Sequence, residues 1–586
     1  MTINKGEIIM NKYTILILII VALLCLVSFS SCEKNEEKEE CVHIEEVDKR
    51  RSPTCQEVGL TEGKHCSECG EILVAQEEIP KSECYFSWKV TKYATKTENG
   101  ERRYECVYDC GSVLETQIIY AGSQYMEYEL KGNLTYYLVS AGNCTDKDVI
   151  IPKIYENREI VGIDSKAIGY GVVSVTLSEN ISYIAPDAFD NTSNLIEIFV
   201  ADGNENYISV DGVLYSKDGK TLVKYPCARE EKVFEIPSGV TTISNNAFGN
   251  AKNLEGVIIP DSVTVIEDKA FAGCKGLTGI EFPNSLKALG AAALYNCVGI
   301  ERIVIPDSVT EIGNYLFNEC TSLTDVTLPS NLTEITEGMF YHCDSLETVN
   351  IPQTVTKIGK NGFMTCYNLS ELTIPEAVTT IGLNAFWGVG LKTISIPKNV
   401  TSINYWAFDN CQSLESINVD PENQRYESVD GVLYSKGLQV LITYPKARVN
   451  TTCIVPDGVE YIIDYSFKQC KTIEHLVIPD SVIYIGEQTF YSCVNLKTVV
   501  IGKGVVDLSK ELFFDCGLVE ISLTNSIQTI SSSFAWCSDL VTINFDGTID
   551  EWMAIDKASS FDNLTGEYTV YCNDGTVSKS GEINRE

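Results

Sequence analysis

Cysteine supplies most of the chemistry this sequence could do: 23 cysteines stand against four histidines in 586 residues. Their densest grouping lies at 41–123, around the knuckle Cys66-Ser67-Glu68-Cys69-Gly70. A C-x-x-C turn brings two thiolates to one metal, and Zn2+ takes four soft N or S donors in a tetrahedron. Cys55 and Cys84 flank the knuckle, so Cys55, Cys66, Cys69 and Cys84 are the candidate ligands of one structural zinc. In an exported protein the same cysteines are also free to pair as disulfides. The spacing leaves both outcomes open. His43 and His65 are reserve ligands or surface side chains.

The stretch from Thr54 to Cys84 resembles the small zinc-ribbon-like repeats of bacterial surface proteins, whose unit closes on Ile-Pro-x-x-Gly-His. Ile79-Pro80 is present, and Cys84 stands at the final histidine position. A second copy, Trp88 to Ser123, is degenerate. Lys96 replaces its first cysteine, the knuckle is stretched to Cys106-x-x-x-Cys110, and Ser123 fills the last ligand position. No metal is expected there.

The other cysteines follow a period rather than a cluster. Prolines stand at 237, 260, 283, 306, 329, 352 and 375, each 23 residues after the last. Phenylalanines at 248, 271, 317, 340, 363 and 386 keep that step, with Leu294 filling the gap. Cysteines at 274, 297, 320, 343 and 366 keep it too, and again at 470, 493 and 516. A fixed period of this length marks a solenoid, because one coil cannot bury its apolar side alone and neighbours must stack. In the unit Cys320-Thr-Ser-Leu323-Thr-Asp-Val326-Thr-Leu328-Pro329, alternation points Leu323, Val326 and Leu328 inward, and proline ends the strand. About seventeen such strands run between Ile151 and Phe545. The periodic cysteines occupy a packing slot and are expected to be buried, reduced thiols.

The pattern Val/Ile-Pro-x-x-Val-x-x-Ile-Gly-x-x-Ala-Phe-x-x-Cys resembles the BspA-type leucine-rich-repeat surface proteins. The resemblance implies an α/β-type repeat solenoid over 124–545, with a parallel sheet rich in β. The nonapeptide Ser-Val-Asp-Gly-Val-Leu-Tyr-Ser-Lys, at 209–217 and 428–436, looks like the family's inserted hairpin. The two insertions are placed at 201–226 and 420–445. Phe545-Asp-Gly-Thr-Ile-Asp-Glu-Trp552 and Tyr568 to Gly575 look like its terminal cap, placed at 546–576 ahead of a tail, 577–586.

The first forty residues read as an address. Lys5 and Lys12 precede an apolar run from Thr14 to Val27, then Phe29-Ser30-Ser31-Cys32. A charged region, a short apolar run and small residues describe a secretory signal rather than a spanning helix. The junction resembles the lipobox of bacterial lipoproteins, with Phe29 departing from the usual aliphatic residue. It implies a signal peptide over 1–31 and acylation of Cys32. Residues 32–40 form an acidic tether, similar to the export signal of Bacteroides-type surface lipoproteins. The implied location is the outer membrane, surface exposed, with the membrane met through the lipid anchor alone.

Net charge of −36 disfavours nucleic acid as a partner. Catalysis has no constellation to stand on: His342 and His475 lie far apart along the repeat, and Asp202-x-Asn204-x-Asn206 has Tyr207 where a calcium loop requires glycine. The expected function is binding. Outward strand positions on consecutive coils present Glu347, Thr348, Asn350, Glu371, Thr373, Lys392, Thr393, Glu415 and Asn418, short polar groups of mixed sign. They suit a wet contact with a matrix protein, another surface protein or a glycan. The resemblance adds an adhesin-like role in attachment. A self-associating envelope component is the second reading, and a surface enzyme the third.

Overall fold

The computed structural model describes residues 44–585, apart from short stretches at 52, 54–56, 82–85, 93–97, 107–110, 120–121, 133 and 405. Cys32, Cys55 and Cys84, and with them the lipidation site and half of the candidate zinc set, lie outside the described residues. The chain forms two units, 1–93 with 101–118, and 94–100 with 119–586. In the first unit, strand Gly63–Cys66 pairs antiparallel with Glu45–Asp48 and Ile72–Val74, and Gly59–Leu60 pairs with Glu78–Ile79. Phe86–Lys92, Gly100–Cys106 and Val113–Ile119 make a second three-stranded sheet.

In the larger unit successive coils contribute strands to a parallel ladder that runs in segments from Asp148–Ile150 to Thr569–Cys572, the coil at Glu371 joining through a single bridge to Thr348. Its register advances by one repeat, as in Asp325↔Thr348 and Val326↔Val349. Alternation holds: Leu323, Val326 and Leu328 are buried while Asp325 and Thr327 face solvent.

The return arm carries strands and turns. Thr242–Ile243, Val265–Ile266, Ala288–Leu289 and Glu311–Ile312 build a second parallel ladder, continued by Glu334–Ile335 and Lys357–Ile358. The Ile-Gly glycines sit where this arm crosses its neighbour: a Cβ on Gly313 would lie 2.3 Å from the backbone nitrogen of Ala291. Beyond that corner two left-handed residues per coil turn the chain, for instance Tyr315 (φ 60) and Glu319 (φ 62) around Phe317. Left-handed residues at that spacing interrupt a right-handed helix. Among the described residues the helix is Ile549–Ala554 in the cap, where Thr548 and Glu551 form a capping box.

The core is a stack of rings. Phe317, Phe340, Phe363, Phe386 and Phe408 lie with successive centroids 5.6, 5.2, 5.6 and 5.5 Å apart and nearly parallel planes. Each ring fills the space above the last, and truncating one would cost about 3–5 kcal/mol.

The insertions are built into this core. Tyr207–Val210 and Val213–Ser216 pair antiparallel around Asp211 (φ 48) and Gly212 (φ 76), as the Asp-Gly turn demands. Thr221–Lys224 then joins the second ladder beside Thr242–Ile243. Leu214, Tyr215, Leu222 and Tyr225 are buried. The same arrangement recurs at Tyr426–Val429, Val432–Ser435 and Val440–Thr443. Each insertion interrupts the first ladder, and the apolar core divides there into blocks at 126–214, 213–442 and 432–577. Both insertions bury a lysine, at different positions. Lys224 donates to the carbonyl of Asn246 at 2.8 Å, and Lys446 donates to Asp409 at 2.8 Å.

The expected tail is not free. Gly575–Ser578 and Ile583–Arg585 pair antiparallel and extend the first ladder past the cap, with Arg585 on Asp574 at 3.2 Å.

Candidate functional site

The knuckle is a tight hairpin tip. The carbonyl of Cys66 accepts from the N–H of Gly70 at 2.8 Å, the Cys66 N–H donates to Glu71 at 2.8 Å, and Gly70 (φ 73) takes the left-handed conformation the turn needs. Cys66 is buried and Cys69 exposed on the same turn. Among the described residues no three His, Cys, Asp or Glu side chains come together as a metal site, and Cys66 and Cys69 are the two members of the candidate zinc set that are described. His65 is engaged elsewhere, its Nδ1 3.0 Å from Asp48.

The periodic cysteines form a ladder of a different kind. Each thiol is buried and donates to a main-chain carbonyl of the preceding coil. Cys274 donates to Phe248 and Cys297 to Phe271 at 3.1 Å, Cys343 to Phe317 at 3.2 Å, Cys411 to Phe386 at 3.0 Å, and Cys516 to Phe490 at 2.9 Å. Burial pushes the thiols of Cys274 and Cys320 up to about 12. Such a thiol is protonated, unreactive and structural.

The remaining polar motifs resolve the same way. Asn204 is a buried turn residue: its amide donates to Ser178 at 3.0 Å and Ile181 at 2.9 Å, and its carbonyl oxygen accepts from the N–H groups of Asn206 and Tyr207 at 2.8 Å. Asn423 repeats the pattern in the second insertion. His342 faces Asp344 at 3.5 Å, and His475 shares a 2.8 Å hydrogen bond with Thr498 on the open sheet.

The outward side of the first ladder presents the polar residues expected there. Glu347, Thr348, Asn350, Glu371, Thr373, Lys392, Thr393, Glu415 and Asn418 are all exposed there, on four successive coils. Thr393 and Asn418 belong to paired strands, and Thr348 bridges to Glu371. The surface between them holds a shallow depression of about 390 Å3 touching Thr373, Ser395 and Asn418. A larger open depression, about 960 Å3, lies on the same face two to five coils before the Glu347 coil, around Gly256, Ile258, Gly279 and Val304. The sequence reading missed it. Its signal is legible in retrospect: at outward positions, where alternation calls for polar groups, the chain has glycine or an aliphatic residue. A third depression, about 1000 Å3, opens on the return ladder. Two of its carboxylates stitch coils together, Glu267 accepting from Asn245 at 2.9 Å and Asp268 from Ala291 at 2.6 Å.

Comparison with known proteins agrees with this architecture. The family model described as BspA type leucine rich repeat region matches in six copies across 241–370, 356–429 and 454–565. These segments cover more than half of the chain, which therefore belongs to the BspA-type leucine-rich-repeat family. Among solved structures it is similar to a leucine-rich cell surface protein of Faecalibacterium prausnitzii A2-165 (28% identity, 60% of this chain and 98% of that one, TM-score 0.45). It is also similar to a leucine-rich repeat protein of Bacteroides ovatus ATCC 8483 (21% identity, 76% and 98%, TM-score 0.42). The pneumococcal vaccine antigen PcpA matches at 19% identity over 61% of this chain and 95% of that one, with TM-score 0.35. The search of curated proteins found no match.

Proposed function

We propose that this protein is an adhesin-like surface binding protein that captures a protein partner on the outward side of its first parallel ladder. The observation that carries the reading is the exposed polar series from Glu347 to Asn418 on four successive coils, its last two strands paired in register. A quasi-one-dimensional array offers shallow, repeated contacts, so affinity accumulates over several coils. A matrix protein or another bacterium's surface protein would span such a face; a glycan is the alternative ligand. Glu347→Ala, Glu371→Ala and Lys392→Ala together should sharply weaken capture by the full chain of matrix proteins immobilised beside mucins and glycans. A single change such as Glu371→Ala should cost about 1 kcal/mol or less. Unchanged capture by the triple variant would overturn the placement, and turnover of any substrate would overturn the binding reading.

The same proposal places the protein on the outer membrane as a lipoprotein acylated at Cys32, with residues 1–31 removed. Among the described residues no helix is long and apolar enough to cross a membrane. It also gives the N-terminal module one structural zinc on Cys55, Cys66, Cys69 and Cys84, supported by the hairpin geometry at Cys66 and Cys69.

A further inference from the structure

The large depression on the first ladder has a chemistry of its own. Ile258, Glu281 and Val304 line it, and Glu235 stands beyond its edge at the same repeat position, so that carboxylate alternates with aliphatic over four successive coils. Ile258 is 54% and Val304 60% exposed, and Val233 at the near end of the depression is 55% exposed, so aliphatic surface gathers on this part of the sheet. Beside this row Gly256 and Gly279 present no side chain at all, and a Cβ on Gly279 would meet nothing within 4 Å. The result is an open trough with a main-chain floor and an aliphatic wall. Neither Glu235 nor Glu281 makes an ion pair with a described residue. The neighbouring Lys232 is spent on Glu255 at 2.7 Å, and Arg302, at the last coil of the trough's lining, stands opposite Asp325 on the next strand.

We propose that this trough binds a basic amphipathic helix of a protein partner, lying along the solenoid axis. Ladder neighbours are spaced about 4.8 Å apart, so the four positions fall near 0, 4.8, 9.6 and 14.4 Å. One face of an α-helix places residues i, i+3, i+7 and i+10 near 0, 4.5, 10.5 and 15 Å. Lysine or arginine at i and i+7 then meets Glu235 and Glu281, while aliphatic side chains at i+3 and i+10 pack on Ile258 and Val304. An extended strand repeats its side chains on one face about every 6.7 Å and loses register within two coils. A second copy of this chain would set carboxylate against carboxylate under a net charge of −36. The inference rests on the binding reading above and names the partner for a different stretch of the same face.

The test uses the full chain and a 14-residue synthetic helix with lysine at i and i+7 and leucine at i+3 and i+10, against a scrambled isomer of identical composition. At about 150 mM salt, where distant charges are screened, the patterned peptide should bind about tenfold or more tighter than the scrambled one. Glu235→Lys with Glu281→Lys should abolish that preference and transfer it to the glutamate-for-lysine peptide. Ile258→Ser with Val304→Ser should remove it, while Glu347→Ala with Glu371→Ala should leave it intact. Equal binding of both isomers, or indifference to the trough substitutions, overturns the proposal. If matrix capture persists in that case, the wider binding reading stands without it.

Discussion

The thiol of Cys320 donates to the carbonyl oxygen of Leu294 on the preceding coil at 3.1 Å, and Leu294 is the residue that interrupts the phenylalanine stack. The thiol ladder thus passes unbroken through the one coil of this stretch where the ring ladder does not. The ladder needs an S–H, so oxidation or ionisation at any rung removes a donor from a buried acceptor.

That requirement fixes a pH dependence. Burial displaces the thiols of Cys274 and Cys320 upward from about 9 to about 12, and raises that of Cys297 as well. Their stabilising contribution is therefore complete below the unfolded value and is lost as pH rises through the folded one. The melting temperature should fall between pH 9 and 12 more steeply for the native chain than for Cys297→Val with Cys320→Val. Val389, buried in the equivalent slot, shows that valine is accommodated. Equal slopes would remove the thiols from the account, as would a Cys297–Cys320 disulfide in mass mapping.

The left-handed corners give a stabilising substitution. Ala292 adopts φ 54 at the place where other coils have Asn246, Asn361 and Asn384. Alanine there costs about 1–2 kcal/mol that asparagine largely avoids. Ala292→Asn should raise stability by roughly 0.5–1 kcal/mol, read by chemical denaturation. A loss of stability would contradict the corner assignment.

Much of this was legible in the sequence because the period is carried by residues with one dominant role. Pro329, Phe340 and Cys343 each mark a strand end, a ring or a rung, and their spacing alone defines the coil. The second ladder was not legible. Strands of two residues such as Glu334–Ile335 are too short to show alternation, and their pairing is set by the neighbouring coil. The insertions were located as hairpins, yet their additional strand, Tyr207–Val210, and the burial of Leu214 and Tyr215 depend on packing that the spacing does not show. Ile258 and Val304 stand at outward positions of the same repeat, but the depression they share with Gly256 and Gly279 is formed only when the coils stack.

The N-terminal module should carry one zinc per chain. Cys66→Ser and Cys69→Ser should each abolish stoichiometric metal in elemental analysis of the purified full chain, because a three-ligand thiolate set binds a structural zinc poorly. Disulfides at these cysteines would contradict it.

Acylation of Cys32 should anchor the chain through lipid, so Cys32→Ser should release it to the medium or leave the leader uncleaved. Membrane retention unchanged by that substitution would sink the anchor.

Carboxylate footprinting of the full chain, free and holding a captured protein, tests the central claim most directly. The account predicts that labelling falls at first-ladder carboxylates, Glu235, Glu281, Glu347, Glu371 and Glu415, and is unchanged at Glu311 and Asp507 on the return ladder. Protection confined to the return ladder would contradict it.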